Sequence, residues 1–314
     1  MRTVLVNPCS GNGYGKQAGE AVAACLREKG VPFELATTTH AGHATLLAQE
    51  AARKGHMQVL SVGGDGTAGE VAQGLYGTDT SLAIIPAGTG NDFAKTLALP
   101  GNLRQAVDVA LAAYRHRADV LRVNDRICLN ISSVGIDAMA AYHVQRFKRF
   151  HGKTAYCAGL AIAFVRYAPL DVCVEIDGAP ASQQRLTIAV FANGQYYGGG
   201  FRPVPTASPF DGKMDVLLVD GRPRRSLIPL LKMYSHGQHM GLPICHHVQC
   251  SHLRLTSHGQ AVPLNIDGEI LCEPVYDIRL MPGHLWLNTP HAHEEVARLD
   301  HLHSTLDRAA GASL

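Results

Sequence analysis

The first third of the chain alternates two hydrophobic patterns. Short runs of consecutive apolar residues are typical of buried strands, and apolar residues three or four positions apart are typical of helices. The runs predict strands at Thr3–Val6, Phe33–Thr37, Met57–Val62 and Leu82–Ile85. The helical spacing predicts helices at Gln17–Arg27, Ala44–Arg53, Glu70–Leu75 and Phe93–Leu97. Strands that alternate with helices predict a doubly wound, Rossmann-like α/β domain with a parallel sheet.

Beyond Arg117 several segments alternate apolar and polar residues, which is typical of half-buried strands. Turn signals such as Asn124-Asp125 separate some of these segments. The predicted strands are Val120–Val123, Ile127–Ile131, Val172–Ile176, Leu186–Phe191, Met214–Val219, Leu253–Thr256 and Tyr276–Met281. Helical spacing recurs at Ala138–Phe147, Thr154–Val165 and His293–Arg308. The order predicts a mostly antiparallel second domain, a β-sandwich or a barrel.

The chain length supports two domains, because 314 residues exceed the usual size of one hydrophobic core. We predict an α/β domain at residues 1–117 and an all-β domain at residues 118–290. A terminal helix at about 291–314 is expected to pack back onto the first domain. Hydrophobic residues make up 46% and charged residues 17%, a globular composition. The net charge of +2 gives no sign of a general nucleic-acid binder.

The eight cysteines are scattered and form no compact framework of disulfides. This pattern favours reduced thiols and a cytoplasmic protein. The apolar N-terminal stretch is too short for a signal peptide. The longest apolar stretch, Ala155–Val165, is also shorter than the roughly 20 residues that span a bilayer. We therefore expect any membrane-bound partner to be met at the membrane surface.

A glycine-rich segment, N-P-C-S-G-N-G-Y-G-K, follows the first predicted strand at positions 7–16. Glycines let backbone N–H groups approach a phosphate without a Cβ in the way. The dinucleotide fingerprint G-x-G-x-x-G does not fit, because Lys16 stands where its last glycine belongs. A Walker A loop does not fit either, since three residues rather than four separate Gly11 and Gly15. Taken alone, the segment is equally compatible with an ordinary strand-to-helix turn.

Two further glycine turns follow the third and fourth predicted strands. They read G-G-D-G-T at positions 63–67 and P-A-G-T-G-N-D-F-A at positions 86–94. Asp65 would repel phosphate unless a metal lies between them, so Mg²⁺ is implied. Thr89 can bond a phosphate, and Asn91 and Asp92 can cap the next helix or join a metal network. A capped helix start explains one such turn, whereas three at successive strand ends of one sheet predict a shared phosphate site.

The three motifs together resemble the catalytic domain of diacylglycerol kinases, most closely that of the soluble bacterial lipid kinases. The resemblance continues into the second half at Asp119, at residues 130–137, at Asp211-Gly212 and at Asp267-Gly268-Glu269. The G-G-D-G-T loop alone is less specific, because NAD kinases and phosphofructokinases share that type of loop. Gly69 stands where many relatives have Asn, and Lys95 where Arg is common.

This resemblance implies that ATP binds in the cleft between an α/β domain and a β-sandwich. It assigns to ATP the residues Asn7, Pro8, Cys9, Ser10, Gly11, Thr38, Gly64, Asp65, Gly66, Thr67, Glu70, Thr89 and Asn91. Lys16 is a further candidate for a phosphate contact. Asp65 and Asp92 would belong to a network of Mg²⁺ and water. Ser208, Asp211 and the backbone carbonyl of Lys213 resemble a structural Mg²⁺ loop.

The resemblance also assigns the acid–base chemistry. Glu269 matches the catalytic base of the family, which accepts the hydroxyl proton during phosphoryl transfer. Asp267 is the alternative, because residues two apart share a face if the segment is a strand. Without the other motifs, a plain hairpin turn would explain this segment better. Asp119 would bind the substrate or help to activate it.

Two other patterns suggest binding sites. Cys245, His246, His247, Cys250 and His252 invite a zinc interpretation, but their spacing matches no closed zinc site well. A strand there would also place neighbouring side chains on opposite faces. A second pattern is the basic run from position 146 to 153, which precedes an apolar helix. It is compatible with anionic lipid or with an ordinary solvated face.

The sequence thus favours an ATP- and Mg²⁺-dependent lipid kinase, with diacylglycerol as the default acceptor. Phosphatidylglycerol or a long-chain base remains open as the acceptor. An NAD kinase and a catalytically inactive lipid- or nucleotide-binding regulator are the alternatives. We expect a cytoplasmic protein at the inner face of the membrane, with a lipid substrate and no nucleic-acid partner; a homodimer is compatible with the sequence.

Overall fold

The structure is a computed structural model that describes residues 1–112, 114–146 and 162–290. The predicted terminal helix at 291–314 lies outside these residues. So does the predicted helix Thr154–Val165, apart from its last four residues, which are helical. None of the described helices is both long enough and apolar enough to cross a membrane.

The first half contains four parallel strands in the order β2-β1-β3-β4. These strands are β1 (Arg2–Val6), β2 (Phe33–Thr37), β3 (Gln58–Gly63) and β4 (Ser81–Pro86). The helices are α1 (Tyr14–Glu28), α2 (His43–Arg53), α3 (Asp65–Leu75), α4 (Asp92–Thr96) and α5 (Leu103–Leu111). Each strand is followed by a turn and a helix, which confirms the predicted α/β pattern.

Helices cover both faces of this sheet, as the doubly wound prediction requires. Successive side chains of a strand point to opposite faces, so β1 contributes to two cores. Val4 and Val6 pack with α1 and α5, whereas Leu5 packs with α2 and α3. All residues of β3 and β4 are buried, which is typical of parallel strands covered on both faces.

The second half is an antiparallel β-sandwich. Its strands are β5 (Arg115–Val123), β6 (Arg126–Cys128), β7 (Ile131–Gly135), β8 (Leu170–Ile176), β9 (Ser182–Ala192), β10 (Met214–Asp220), β11 (Cys245–Cys250), β12 (His252–Thr256), β13 (Val262–Ile266), β14 (Glu269–Glu273) and β15 (Val275–Asn288). Two helices, α6 (Ile136–Arg146) and α7 (Leu227–Ser235), lie among them. A large cluster of buried apolar residues from β5 to β15 fills the sandwich.

The long strand β15 joins the two halves. It pairs antiparallel with β12 and β5, and near its end Trp286 and Leu287 pair in parallel with Ser81 and Leu82 of β4. The predicted domain boundary between residues 117 and 118 falls inside β5. A strand shared in this way fixes the sandwich against the parallel sheet.

The strand predicted at Ile127–Ile131 is wrong as one element. The structure has two short strands, β6 and β7, separated at Leu129 and Asn130. The physical reason is that the N–H groups of residues 129, 130 and 131 bind the carboxylate of Asp267 instead of a neighbouring strand. A charged acceptor therefore interrupts a run whose apolar pattern favours one strand.

Candidate active site

The three glycine turns lie against one another at the carboxyl edge of the parallel sheet. A Cβ at Gly11, which has a φ of +58°, would lie 2.7 Å from the carbonyl oxygen of Ala87. A Cβ at Gly88 would collide with the Cα of Gly64. Only glycine permits both approaches, because real Cβ atoms do not come this close to backbone atoms. The first turn thus contacts the third, and the third contacts the second.

Polar side chains connect the first turn to the second. Asn7 Nδ2 donates to Thr67 Oγ1 at 3.0 Å, and Ser10 Oγ accepts from the N–H of Gly64 at 3.3 Å. Thr38 follows β2 and donates its backbone N–H to Val6, beside Asn7. The predicted nucleotide residues of the first two turns, with Thr38, therefore lie at one edge of the sheet.

The third turn is closed by its own asparagine. Asn91 Oδ1 accepts from the N–H of Gly88 at 2.9 Å, and Asn91 Nδ2 donates to the carbonyl of Gly88 at 3.0 Å. Thr89 is exposed at the tip between them. The predicted role of Asn91 at the nucleotide is thus indirect in this geometry, since both ends of its amide shape the turn. Thr89 is the residue of this turn whose hydroxyl faces outward.

Glu70, also assigned to ATP, uses its carboxylate elsewhere. Its two oxygens accept from the N–H groups of Gly42 at 2.9 Å and Ala44 at 3.1 Å. These donors lie at the start of α2, where a negative charge is favourable. The carboxylate of Glu70 therefore fixes α2 beside α3.

Two carboxylates face the tip of the third turn. A Cβ at Gly90 would lie 3.0 Å from Asp65 Oδ2 and 3.3 Å from Asp92 Oδ2. Asp65 Oδ1 accepts from the N–H of Phe93 at 3.1 Å. Burial raises the pKa of Asp65, and the neighbouring charge of Asp92 raises it further. A bound cation would relieve both effects, so Asp65 has the chemistry expected of a Mg²⁺ partner.

Asp92 differs from Asp65 because both of its oxygens are occupied. Lys95 Nζ lies 2.7 Å from Asp92 Oδ1, and the N–H of Gly199 donates to Asp92 Oδ2 at 2.7 Å. Gly199 belongs to the loop between β9 and β10. The structure thus uses Asp92 to join the third turn to the sandwich, and its proposed part in a metal network would be secondary to this contact.

The predicted Mg²⁺ loop is placed by Asp119. Asp119 Oδ2 accepts from the N–H of Gly212, and Asp119 Oδ1 accepts from the N–H of Gly283, both at 2.8 Å. Burial raises the pKa of Asp211 to about 7, and the charges of Asp215 and Asp119 add to this rise. One Asp215 oxygen is buried without a hydrogen-bond partner. Crowded anionic oxygens suit a hard cation, so the residues fit Mg²⁺ held by Ser208, Asp211 and the carbonyl of Lys213.

These contacts differ from the predicted role of Asp119, which is to bind the substrate or help to activate it. Its carboxylate binds backbone N–H groups of the Mg²⁺ loop and of β15. In the described part of the chain, no group of three or more His, Cys, Asp or Glu side chains is arranged to hold a metal by itself. Backbone carbonyls, hydroxyls and water would have to complete any Mg²⁺ shell, which is usual for this ion.

The zinc interpretation of residues 245–252 finds no support in the geometry. His246 binds Asp220, His247 binds Asp215 and His252 binds Asp277, at 2.9, 2.6 and 3.0 Å. The three imidazoles are thus directed to three separate carboxylates rather than to one point. The seven cysteines within the described ranges are free thiols.

The two acidic residues at the turn of the β13–β14 hairpin, Asp267 and Glu269, have opposite environments. Asp267, with a φ of +49°, accepts backbone N–H bonds from Leu129, Asn130 and Ile131 at 2.6, 3.1 and 3.0 Å. Burial raises the pKa of Asp267 to about 6, although these hydrogen bonds oppose the rise. Glu269 is exposed, and its Oε2 lies 2.9 Å from Arg126 Nη1. Glu269 is therefore accessible to a substrate, whereas Asp267 fixes the hairpin.

The hairpin turn lies against the first part of α3, two residues after the second glycine turn. A Cβ at Gly69, near the start of α3, would lie 3.7 Å from Asp267 Oδ2. Segments almost 200 residues apart in sequence thus meet at one place. Sequence reasoning missed Arg126 and Gly199, the residues that contact Glu269 and Asp92. No local pattern marks them, since each acts through a partner distant in sequence.

Comparisons with known proteins agree with this arrangement. Residues 2–123 match the diacylglycerol kinase catalytic domain family, and residues 130–289 match the YegS C-terminal, NAD kinase β-sandwich-like domain. A diacylglycerol kinase of Mycobacterium tuberculosis is 30% identical over 92% of this chain and 94% of its own length. The Bacillus subtilis diacylglycerol kinase is 28% identical, over 85% of this chain and 88% of its own.

Solved structures show the same fold. A Bacillus anthracis crystal structure described as a diacylglycerol kinase superposes with a TM-score of 0.70 at 23% identity, over 92% of this chain and 96% of its own. An NAD kinase of Archaeoglobus fulgidus, solved with ATP, gives a TM-score of 0.55 at 14% identity, over 95% of this chain and 97% of its own. With its two matched domains and a relative 30% identical over nearly its whole length, this chain belongs to the diacylglycerol kinase catalytic-domain family of lipid kinases, of the soluble bacterial type.

Proposed function

We propose that this protein transfers the γ-phosphoryl group of Mg²⁺-ATP to the free hydroxyl of diacylglycerol, which forms phosphatidic acid. The observation that carries the proposal is the meeting of three glycine turns at one edge of the sheet, with the Asp267–Glu269 hairpin turn lying against Gly69 of α3. The turns offer backbone N–H groups to phosphates, and the hairpin offers an exposed carboxylate.

In the proposed reaction, the acceptor oxygen forms a bond to the γ-phosphorus while the bond from that phosphorus to the β–γ bridging oxygen breaks. ADP leaves, and Glu269 accepts the hydroxyl proton. Mg²⁺ would neutralise phosphate charge next to Asp65. Asp267 holds the hairpin through its three backbone N–H bonds, and the Arg126 guanidinium orients Glu269.

Diacylglycerol is the proposed acceptor because the curated relatives from Mycobacterium tuberculosis and Bacillus subtilis carry that name. Phosphatidylglycerol and long-chain bases share the exposed hydroxyl and are the competing acceptors. NAD is the competitor suggested by the NAD kinase fold, although that likeness extends to the fold alone. We further propose that the protein works at the cytoplasmic surface of the membrane, where such lipids are found.

A panel of acceptors tests the proposal. The protein is incubated with Mg²⁺ and ATP labelled on its γ-phosphate, together with diacylglycerol, phosphatidylglycerol or a long-chain base in detergent micelles, or with NAD in solution. We expect label to enter phosphatidic acid at a rate that exceeds transfer to each other acceptor at least tenfold. Preferential labelling of another lipid would refute the acceptor, and labelling of NAD alone would refute the lipid kinase reaction for this chain.

A further inference from the structure

The helix α7 exposes apolar side chains on its outer face. Leu227 and Tyr234 are buried, and Tyr234 and Leu230 pack with residues of β9 and β10. Ile228 and Leu231, by contrast, point outward, with 66% and 39% of their surfaces exposed. Two exposed aliphatic residues three positions apart lie on one side of a helix. Exposure of aliphatic side chains to water is unfavourable, and exposed apolar patches commonly mark interaction surfaces.

Basic residues surround these apolar side chains. Arg222, Arg224 and Arg225 precede α7 and Lys232 lies within it, and all four are exposed. Within the described ranges none of the four forms an ion pair with an acidic side chain, whereas most exposed lysines of the α/β domain do. The sequence contains no Asp or Glu from Gly221 to Ile266. Asp220, just before this stretch, binds His246, so the positive charge of the four side chains has no ion-pair partner among the described residues.

A third exposed apolar residue lies on a neighbouring segment. Val165 is 65% exposed and is followed by exposed Arg166. The next residue, Tyr167, donates its hydroxyl to the carbonyl of Arg222 at 3.0 Å. This contact joins the segment of Val165 and Arg166 to the arginine segment before α7, so residues distant in sequence contribute to this surface.

The patch is also connected to the active site. Tyr234 of α7 and Tyr197 share a hydroxyl–hydroxyl hydrogen bond of 2.9 Å. Tyr197 lies in the β9–β10 loop, whose Gly199 donates its N–H to Asp92. One residue, Gly198, therefore lies between the residue that contacts α7 and the residue that contacts the third glycine turn.

We propose that the outer face of α7, with Arg222, Arg224, Arg225, Ile228, Leu231 and Lys232, docks the protein onto an anionic lipid bilayer. This inference rests on the proposed function in naming a lipid surface as the occupant. Arginines bind anionic headgroups while Ile228 and Leu231 enter the headgroup–acyl boundary, as in helices that lie in the membrane interface. The charge sign selects this occupant, since a neutral apolar partner would leave the arginines without counterions.

Vesicle binding tests the docking surface. The full chain is sedimented with vesicles of phosphatidylglycerol and phosphatidylcholine, or of phosphatidylcholine alone. We expect binding to the anionic vesicles only, and a loss of roughly 30-fold in Arg224→Gln/Arg225→Gln, from the usual gain per basic residue near such a surface. The control, Arg27→Gln/Arg53→Gln, changes the net charge equally at exposed positions of α1 and α2 and should bind like wild type. The difference should shrink in high salt.

A matched pair of variants tests the contribution of the exposed apolar side chains to vesicle binding. Ile228→Gln should weaken vesicle binding severalfold, whereas Leu46→Gln, at a residue 57% exposed on α2, should not. Equal binding by patch and control variants, or no binding of wild type to anionic vesicles, would overturn the proposal. So would a dimer in sedimentation velocity that Ile228→Gln dissociates without any change in vesicle binding, because the patch would then be a contact between copies.

Activity in micelles separates this proposal from the proposed reaction. Arg224→Gln/Arg225→Gln should phosphorylate short-chain diacylglycerol in detergent micelles at the wild-type rate, because no bilayer is needed there. If wild type labels no lipid in micelles but still binds vesicles through α7, the proposed reaction fails and the docking surface stands. If micelle activity falls as far as vesicle binding, α7 belongs to the catalytic structure and the docking proposal fails.

Discussion

The glycine-turn edge of the α/β domain and the hairpin of the β-sandwich contribute to the same site by different means. At the glycine edge, three short segments each follow a strand, and contacts such as Gly11 with Ala87 need only the absence of side chains. At the hairpin, every functional group depends on a distant partner, as Asp267 does on residues 129–131 and Glu269 on Arg126. Short motifs therefore encode the proposed phosphate site locally, whereas tertiary structure creates the proposed acceptor side.

Glu269→Gln gives the largest expected effect and tests the acceptor side. Removing the proton acceptor should lower kcat by roughly 10²–10⁴-fold, the usual contribution of a general base. ATP affinity should not change, because the substitution leaves the glycine turns intact. Initial rates of lipid phosphorylation and calorimetric ATP titration measure the two quantities. Glu20→Gln, at an exposed position of α1, serves as the control, and a Glu269 variant with near-normal turnover would assign the base elsewhere.

Asp65→Asn tests the phosphate side. The expected loss of turnover is comparable to that of Glu269→Gln or slightly smaller. Loss of a carboxylate that positions Mg²⁺ should cost several kcal/mol, or about 10³-fold in Mg²⁺-dependent turnover. Rates over a range of Mg²⁺ concentrations measure this effect. Asp79→Asn, at an exposed position, should retain the wild-type Mg²⁺ dependence. An Asp65 variant with the same rates as this control would show that the turn binds no metal.

Asp267→Asn separates the role of Asp267 from that of Glu269 at the hairpin turn. An amide offers one acceptor oxygen in place of two, so at least one of the three backbone N–H groups should lose its partner. The free energy of unfolding should fall by about 2–3 kcal/mol, the cost of an unpaired buried donor. Urea unfolding measures the change, and Asp125→Asn at the exposed β5–β6 turn is the control. A fully stable variant without turnover would instead make Asp267 the base.

A smaller effect concerns acid stability of the sandwich half. His239 has none of its surface exposed, and burial lowers its pKa to about 4 from 6.5. The unfolded chain binds this proton more readily, so stability is full above pH 6.5 and is lost as the pH falls towards 4. The loss should approach about 3 kcal/mol. Unfolding free energies of wild type and His239→Gln across this range measure it, with His236→Gln as an exposed control; parallel pH profiles would contradict the assignment.

The comparison between the two halves also explains which structural features the sequence predicts and which it misses. The strands and helices of the α/β half follow from hydrophobic periodicity, and the glycine motifs locate its site. The same periodicity predicts one strand at Ile127–Ile131, because it does not register the carboxylate of Asp267 that interrupts the ladder. It also overlooks α7, whose apolar residues face both inward and outward and so show no clear stripe.

The roles of the site residues show the same difference between what local motifs encode and what tertiary structure determines. Sequence places Asp65, Thr67 and Glu269 where the geometry can use them. It also assigns Glu70 to ATP, although the carboxylate binds the start of α2, and treats Asp267 as an alternative base, although three N–H groups occupy it. In both cases a polar side chain of the right type is committed to backbone donors that only the folded chain brings near. Arg126, absent from every motif, contacts the predicted base.

The central claim is that the three glycine turns form one nucleotide site, and Mg²⁺-ATP binding to Gly88→Ala tests it most directly. The new Cβ would push Gly88 away from the Cα of Gly64, whereas a Cβ at Gly101 meets nothing within 4 Å. Calorimetry should show ATP affinity at least about tenfold weaker in Gly88→Ala and unchanged in Gly101→Ala, with both variants folded by circular dichroism. Wild-type affinity in a folded Gly88→Ala protein would contradict the claim.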